Sequence, residues 1–92
     1  MPRQIVATRE FLRAYHRLTD APRDLVDASL QRFRDALQGG SMSAGLGHKH
    51  LGGRTHEFRA GLALRVVYVA VEDQIILTLL GTHDDVRRFL KR

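Results

Sequence analysis

The apolar positions of this chain change period along its length. "RQIVAT" (3–8) is a short β-branched run, and from Arg9 onward Phe11, Leu12, Tyr15 and Leu18 recur at helical spacing behind Thr8, a natural helix cap. "TDAP" breaks that pattern: Thr19 or Asp20 can cap a second helix, Pro22 fits its first turn, and Val26, Leu30, Phe33 and Leu37 form its stripe. Gly39 and Gly40 end it. A connection this short makes the two helices an antiparallel hairpin. From Thr55 the spacing becomes strand-like: "THEFRA" is a short strand, "LALRVVYVAV" a central one, "EDQ" a tight turn and "IILTLLGT" the hairpin partner.

Between the two halves, "GGSMSAGLGHKHLGG" (39–53) has six glycines in fifteen residues and follows neither period, which predicts a surface loop. At the end, "DDVRRFLKR" (84–92) spaces Val86, Phe89 and Leu90 helically, with Asp84 and Asp85 at the favourable end of the helix dipole and Lys91 and Arg92 at the other. The predicted fold class is α+β. An N-terminal strand and a two-helix hairpin pack on one face of a mainly antiparallel sheet of three or four strands, closed by a short C-terminal helix. Residues 1–92 form a single domain, with no internal repeat or linker.

Composition narrows the classes. Hydrophobic residues at 43% and charged residues at 27% describe a folding chain rather than a disordered tail. At 92 residues such a domain buries about 60–65% of its unfolded surface, so its core must be compact. Without cysteine there is neither a disulfide framework nor a thiolate zinc site. "MPRQIVATREF" lacks the features of a signal peptide and no apolar run reaches the ~18 residues of a membrane span, so the expected location is cytoplasmic, with no membrane partner. A net charge of +5 and a pI near 10.7 favour a polyanionic partner, RNA, DNA or an acidic protein. Thirteen of the fifteen basic residues are arginine, the side chain best suited to bidentate contact with phosphate or carboxylate.

Four of the five histidines, His48, His50, His56 and His83, fall in the C-terminal half beside Lys49, Arg54, Arg59 and Arg65. In a strand meander these residues can converge on the sheet face opposite the helices, which would be cationic. Such a set suits cleavage of RNA by its own 2′-hydroxyl. A base takes the hydroxyl proton, cations hold the charged phosphorane, and an acid protonates the departing 5′-oxygen, with no metal or other cofactor. Each residue also has a plainer reading. His83 can simply mark the strand end, His56 an edge-strand surface, and "HKH" (48–50) a solvated loop rather than a fragment of a metal site. Arg65 interrupts an apolar strand, where a charge is costly unless paired or open to solvent. Arg87 and Arg88 can touch phosphate or line a solvated helix face. Tyr68 reads as core more readily than as a stacking platform.

The element order, together with "LGGRTHEFR" (51–59), "LRVVY" (64–68) and "IILTLLGTHDDV" (75–86), resembles the RelE/ParE superfamily of bacterial type II toxins. The likeness covers nearly the whole chain. It implies a cytoplasmic toxin encoded with a cognate antitoxin that wraps and inhibits it, and that binds operator DNA on behalf of the complex. RelE-like members are mRNA interferases that act with the ribosome; ParE-like members poison DNA gyrase. "GTH" looks like the YafQ branch of ribosome-dependent RNases, where that histidine is catalytic, which carries onto His83. A loop histidine of that branch falls on His50 or His48, and Arg65 stands where a phosphate-contacting arginine is common. The strand histidine of the branch is matched by His56 no better than by Arg59. Its aspartate–tryptophan pair is replaced near Ala63 and Leu64, and the aromatic after "GTH" near Arg87, with Phe89 next. The expected function is therefore a ribosome-dependent, metal-independent mRNA endonuclease. Its catalytic residues are His83, Arg65, His50 and His56, and its RNA-binding residues Lys49, Arg54, Arg59, Arg87 and Arg88. A ParE-like gyrase inhibitor, or a degenerate binding module, is the alternative.

Overall fold

The computed structural model describes residues 4–41 and 44–91. Its element order is β1 (Gln4–Ala7), α1 (Arg9–Arg17), α2 (Asp20–Gly39), a single 3₁₀ turn (Ala44–Leu46), β2 (Lys49–Gly52), β3 (Thr55–Ala60), β4 (Leu64–Val71), β5 (Gln74–Thr82) and α3 (His83–Leu90). The five strands form one sheet in the order β1-β5-β4-β3-β2. β1 runs parallel to β5 and the other three pairings are antiparallel. The α+β class and the helix hairpin on one face are as expected, and the sheet has one strand more than expected.

The helices start where their capping chemistry sits. Thr8 accepts the Phe11 N–H into α1 and Gly40 closes α2 in the left-handed conformation at φ 78°. Thr19 occupies the cap position of α2, and its side chain makes no capping bond. Between the two helices, the Arg23 guanidinium donates to the Leu18 and His16 carbonyls at 2.6 and 3.3 Å and lies over the Tyr15 ring. The Tyr15 hydroxyl donates to Asp27 at 2.6 Å, and that bond pushes the phenol above its usual pKa. α1 packs on β5 and α2 on β3. Phe11, Val26 and Phe33 thus meet Phe58, Val66, Tyr68, Ile75 and Leu77 in the core.

The fifth strand lies inside the glycine-rich segment that sequence reading assigns to a surface loop, of which Met42 and Ser43 fall outside the described residues. Leu46, 1% exposed, anchors the 3₁₀ turn in the core, and Lys49–Gly52 then pairs with β3. Glycine density hid a four-residue strand whose sequence, K-H-L-G, is too short to register as a period. Because β2 takes the edge, β3 is an interior strand, and His56 is half-buried rather than on the edge.

β5 carries the irregularity that sets the faces of the sheet. Leu77 pairs with Tyr68 but Leu79 pairs with Val67, so Thr78 is an extra residue, held by its hydroxyl's 3.1 Å bond to the Val67 carbonyl. The bulge moves the core-facing series from Ile75 and Leu77 to Leu80, and so turns Gly81 to the opposite face. No helix among the described residues is long and apolar enough to cross a membrane.

Candidate functional site

On the face away from α1 and α2, Arg59 pairs directly with Arg65, and Arg65 with Gly81. Directly paired residues project to the same side, so two guanidinium groups stand side by side, an arrangement that is destabilising alone. Glu57, two residues before Arg59 on β3 and 4% exposed, supplies the countercharge: its carboxylate accepts from Arg65 Nη1 at 2.9 Å. Across the edge Lys49 pairs with Glu57 and shares this face. Arg59 is exposed, whereas the Arg65 side chain is 16% exposed and held by the carboxylate.

The row ends beneath α3. A Cβ on Gly81 would stand 2.6 Å from Asp85 Oδ2 and 2.8 Å from Asp85 Cβ, so only glycine lets the first turn of α3 fold down onto β5. Thr82 caps that turn: its hydroxyl accepts the Asp85 N–H, and the Asp85 carboxylate accepts the Thr82 N–H at 2.8 Å. The Thr82 N–H is also the main reason the Asp85 carboxyl titrates below its usual range. Leu64 pairs with Thr82, so His83, the first residue of α3, sits exposed one residue beyond the β4–β5 pairing. Arg87 and Arg88 are exposed in the last turn, with Arg88 donating to Asp85. Arg54 lies exposed in the β2–β3 turn, its carbonyl accepting the Ala70 N–H.

The other histidines do not join this face. Strand parity places His50 and His56 with Phe58 and Ala60, on the side of the helices, and Lys49 with Glu57 and Arg59 on the other. His50 pairs with His56 and His56 with Tyr68. Ring centroids along that row are 4.8 and 5.0 Å apart. His48 lies beside it, 5.3 Å from His56, its Nε2 in a 2.6 Å hydrogen bond with the Tyr68 hydroxyl. Burial first, and then the neighbouring His50 charge, hold the His48 pKa below the usual value. His50 Nε2 donates to the Gly53 carbonyl at 2.8 Å. The expected convergence is therefore split: the cations Lys49, Arg59 and Arg65 gather on the far face, His83 stands at the start of α3, and His48, His50 and His56 gather around Tyr68. Among the described residues no group of three or more histidine, aspartate or glutamate side chains is arranged to hold a metal ion.

Solved structures share this arrangement of elements. A copper-bound mutant toxin from Helicobacter pylori superposes with a TM-score of 0.70 at 19% identity, over 90% of this chain and 97% of that one. The archaeal RelE–RelB complex from Pyrococcus horikoshii gives 0.67 at 18% identity, over 89% and 96%. The toxin–antitoxin complex DinJ–YafQ from E. coli gives 0.66 at 15% identity, over 94% and 98%. The chain has a RelE-like fold. A scan against models of protein families finds no match, and neither does a search of curated proteins.

On a RelE-type fold chemistry must come from side chains rather than from topology. Here the far face presents the guanidinium groups of Arg59 and Arg65 side by side, the group best suited to bidentate contact with phosphate. Two participants escaped sequence reading. Glu57 becomes visible only when the β3–β4 register brings it diagonally to Arg65. Tyr68 is indeed core, yet its hydroxyl also bonds the half-buried His48.

Proposed function

We propose that this protein is the toxin of a toxin–antitoxin pair, a cytoplasmic endoribonuclease that cuts messenger RNA on the ribosome through the RNA's own 2′-hydroxyl. The observation that carries this reading is the Arg59–Arg65–Gly81 row on the far face, with the exposed His83 two residues beyond Gly81 in the chain. Scissile phosphate docks over the arginines, which neutralise the charge that grows on its oxygens. A bond forms from the 2′-oxygen to phosphorus as the bond to the 5′-oxygen breaks, leaving a 2′,3′-cyclic phosphate. One group removes the 2′ proton and another delivers a proton to the 5′-oxygen; His83 is one of the two. No metal takes part in these steps. Lys49, Arg54, Arg87 and Arg88 hold the flanking phosphates.

A cognate antitoxin is the expected protein partner, in keeping with the RelE–RelB and DinJ–YafQ complexes among the similar structures. It would contact operator DNA for both proteins. The net charge of +5 suits an acidic antitoxin segment as well as RNA.

The test is primer extension on a defined message in translating ribosomes, wild type beside His83→Ala. Wild-type protein is expected to cut in the ribosomal A-site codon, and the variant about 10²–10⁴-fold more slowly, the usual loss of a positioned acid or base. Full cutting by His83→Ala removes that residue from the mechanism. Intact message with the wild type moves the reading to a gyrase inhibitor, to be checked by supercoiling assay.

A further inference from the structure

Tyr68, His56 and His50 make a cross-strand row of rings that begins in the core and ends at the edge of the sheet. Phe33 backs it at 4.7 Å from Tyr68, and the centroid steps then run 5.0 and 4.8 Å to His50. Burial falls along the row, from 4% exposure at Tyr68 through half-buried His56 to exposed His50. β2 is the last strand of the sheet, so among the described residues no further strand continues the row beyond His50. Two bonds hold the rings in place, His48 to the Tyr68 hydroxyl and His50 to the Gly53 carbonyl.

We propose that the His50 ring is a stacking platform for an unpaired base of single-stranded RNA, so that the base continues the row of rings. This inference rests on the RNA substrate of the proposed function. The row is preorganised, with His56 stacked on Tyr68 and His50 tilted against His56, and stacking on a ring held at the rim of a sheet is how proteins bind unpaired bases without reading their edges. Cations lie within reach of the same strand: Lys49 beside His50 on the opposite face, and Arg54 in the turn that follows. His56 and Arg59 are three residues apart on β3, about 10 Å. An RNA passing round the β2 edge over Lys49 therefore meets the ring platform on one side and the Arg59–Arg65 row on the other. A cross-strand ring pair contributes ~0.2–1 kcal/mol to a sheet, and phenylalanine would serve that end as well, so the exposed end of the row calls for a partner.

The role lies in the ring face and not in proton transfer, which makes the conservative variant decisive. A short single-stranded RNA carrying 2-aminopurine is titrated with wild type, His50→Ala and His50→Phe, following fluorescence quenching, and each is assayed for cutting on ribosomes. Both variants lose the bond to Gly53, so they differ in the ring alone. Wild type is expected to quench the probe, His50→Ala to bind about 5- to 30-fold more weakly, and His50→Phe to restore both binding and cutting. Absence of quenching by the wild type, or equal binding by His50→Ala, overturns the platform. So does His50→Phe that binds no better than His50→Ala, since an aromatic face at that position then adds nothing. Quenching by the wild type without any cutting supports the platform while removing the endonuclease reading.

Discussion

Glu57 is the residue on which the far face depends. Its carboxylate is buried, and the arginine pair beside it would repel without this countercharge on Arg65. Replacing it by glutamine should lower stability by about 3 kcal/mol, because a charge is then left largely buried without its partner. Urea denaturation measures this, and a loss below ~1 kcal/mol would mean that Arg65 reaches solvent on its own. His48 gives the second residue-scale prediction. Its native pKa is depressed by burial, so the unfolded chain takes up a proton at higher pH than the folded one does. Stability is therefore complete above the unfolded value of about 6.5, falls as the pH drops below it, and levels off beneath the native value. His48→Gln removes that titration. Melts between pH 8 and 5 should show a shallower acid slope in the variant, and identical slopes would place the acid sensitivity elsewhere. Neither residue could be assigned from the sequence, where Glu57 is one charge in a short strand and His48 one residue of a glycine loop; both roles come from neighbours across the sheet.

At the scale of elements, most of the chain was legible. Thr8, the Gly39–Gly40 stop and the β4–β5 hairpin all sit where local chemistry puts them. What was hidden depends on distant pairing: β2 exists because β3 offers it an edge, and β1 lies parallel to β5, from which two helices and three strands separate it in the chain. Nor does any local signal announce the Thr78 bulge, although it decides which face Gly81 and the end of β5 present. Placement of His83 is a property of this junction. Gly81→Ala would drive a Cβ into Asp85 and lift the first turn of α3, for which a destabilisation of about 1–3 kcal/mol is expected, the usual cost of overpacking. Thr82→Ala should lose about 1 kcal/mol through the capping box alone. If His83 works in cleavage, Gly81→Ala should cut more slowly even at temperatures where circular dichroism shows it folded. Unchanged cutting by the folded variant would mean that the position of α3 does not matter to the reaction.

For the whole molecule, a net charge of +5 was plain from composition, but its division between two faces was not. Strand parity sends Lys49, Arg59 and Arg65 to one side and the histidine rings to the other, and for Lys49 and His50 that parity belongs to a strand that the sequence conceals. The division has a measurable consequence, since phosphate contacts release counterions and ring stacking does not. For single-stranded RNA the logarithm of the binding constant falls with that of the salt concentration by about 0.7 for each phosphate neutralised. Lys49→Ala combined with Arg59→Ala should therefore flatten the slope by about 1.4, whereas His50→Ala should weaken binding at every salt concentration and leave the slope as it was. Fluorescence anisotropy of a short RNA between 50 and 200 mM potassium chloride, a range over which such contacts change affinity steeply, separates the two effects. An unchanged slope in the double variant would remove Lys49 and Arg59 from the RNA path. A flattened slope in His50→Ala would show instead that the imidazole acts through its charge, and the two faces would then share one electrostatic role.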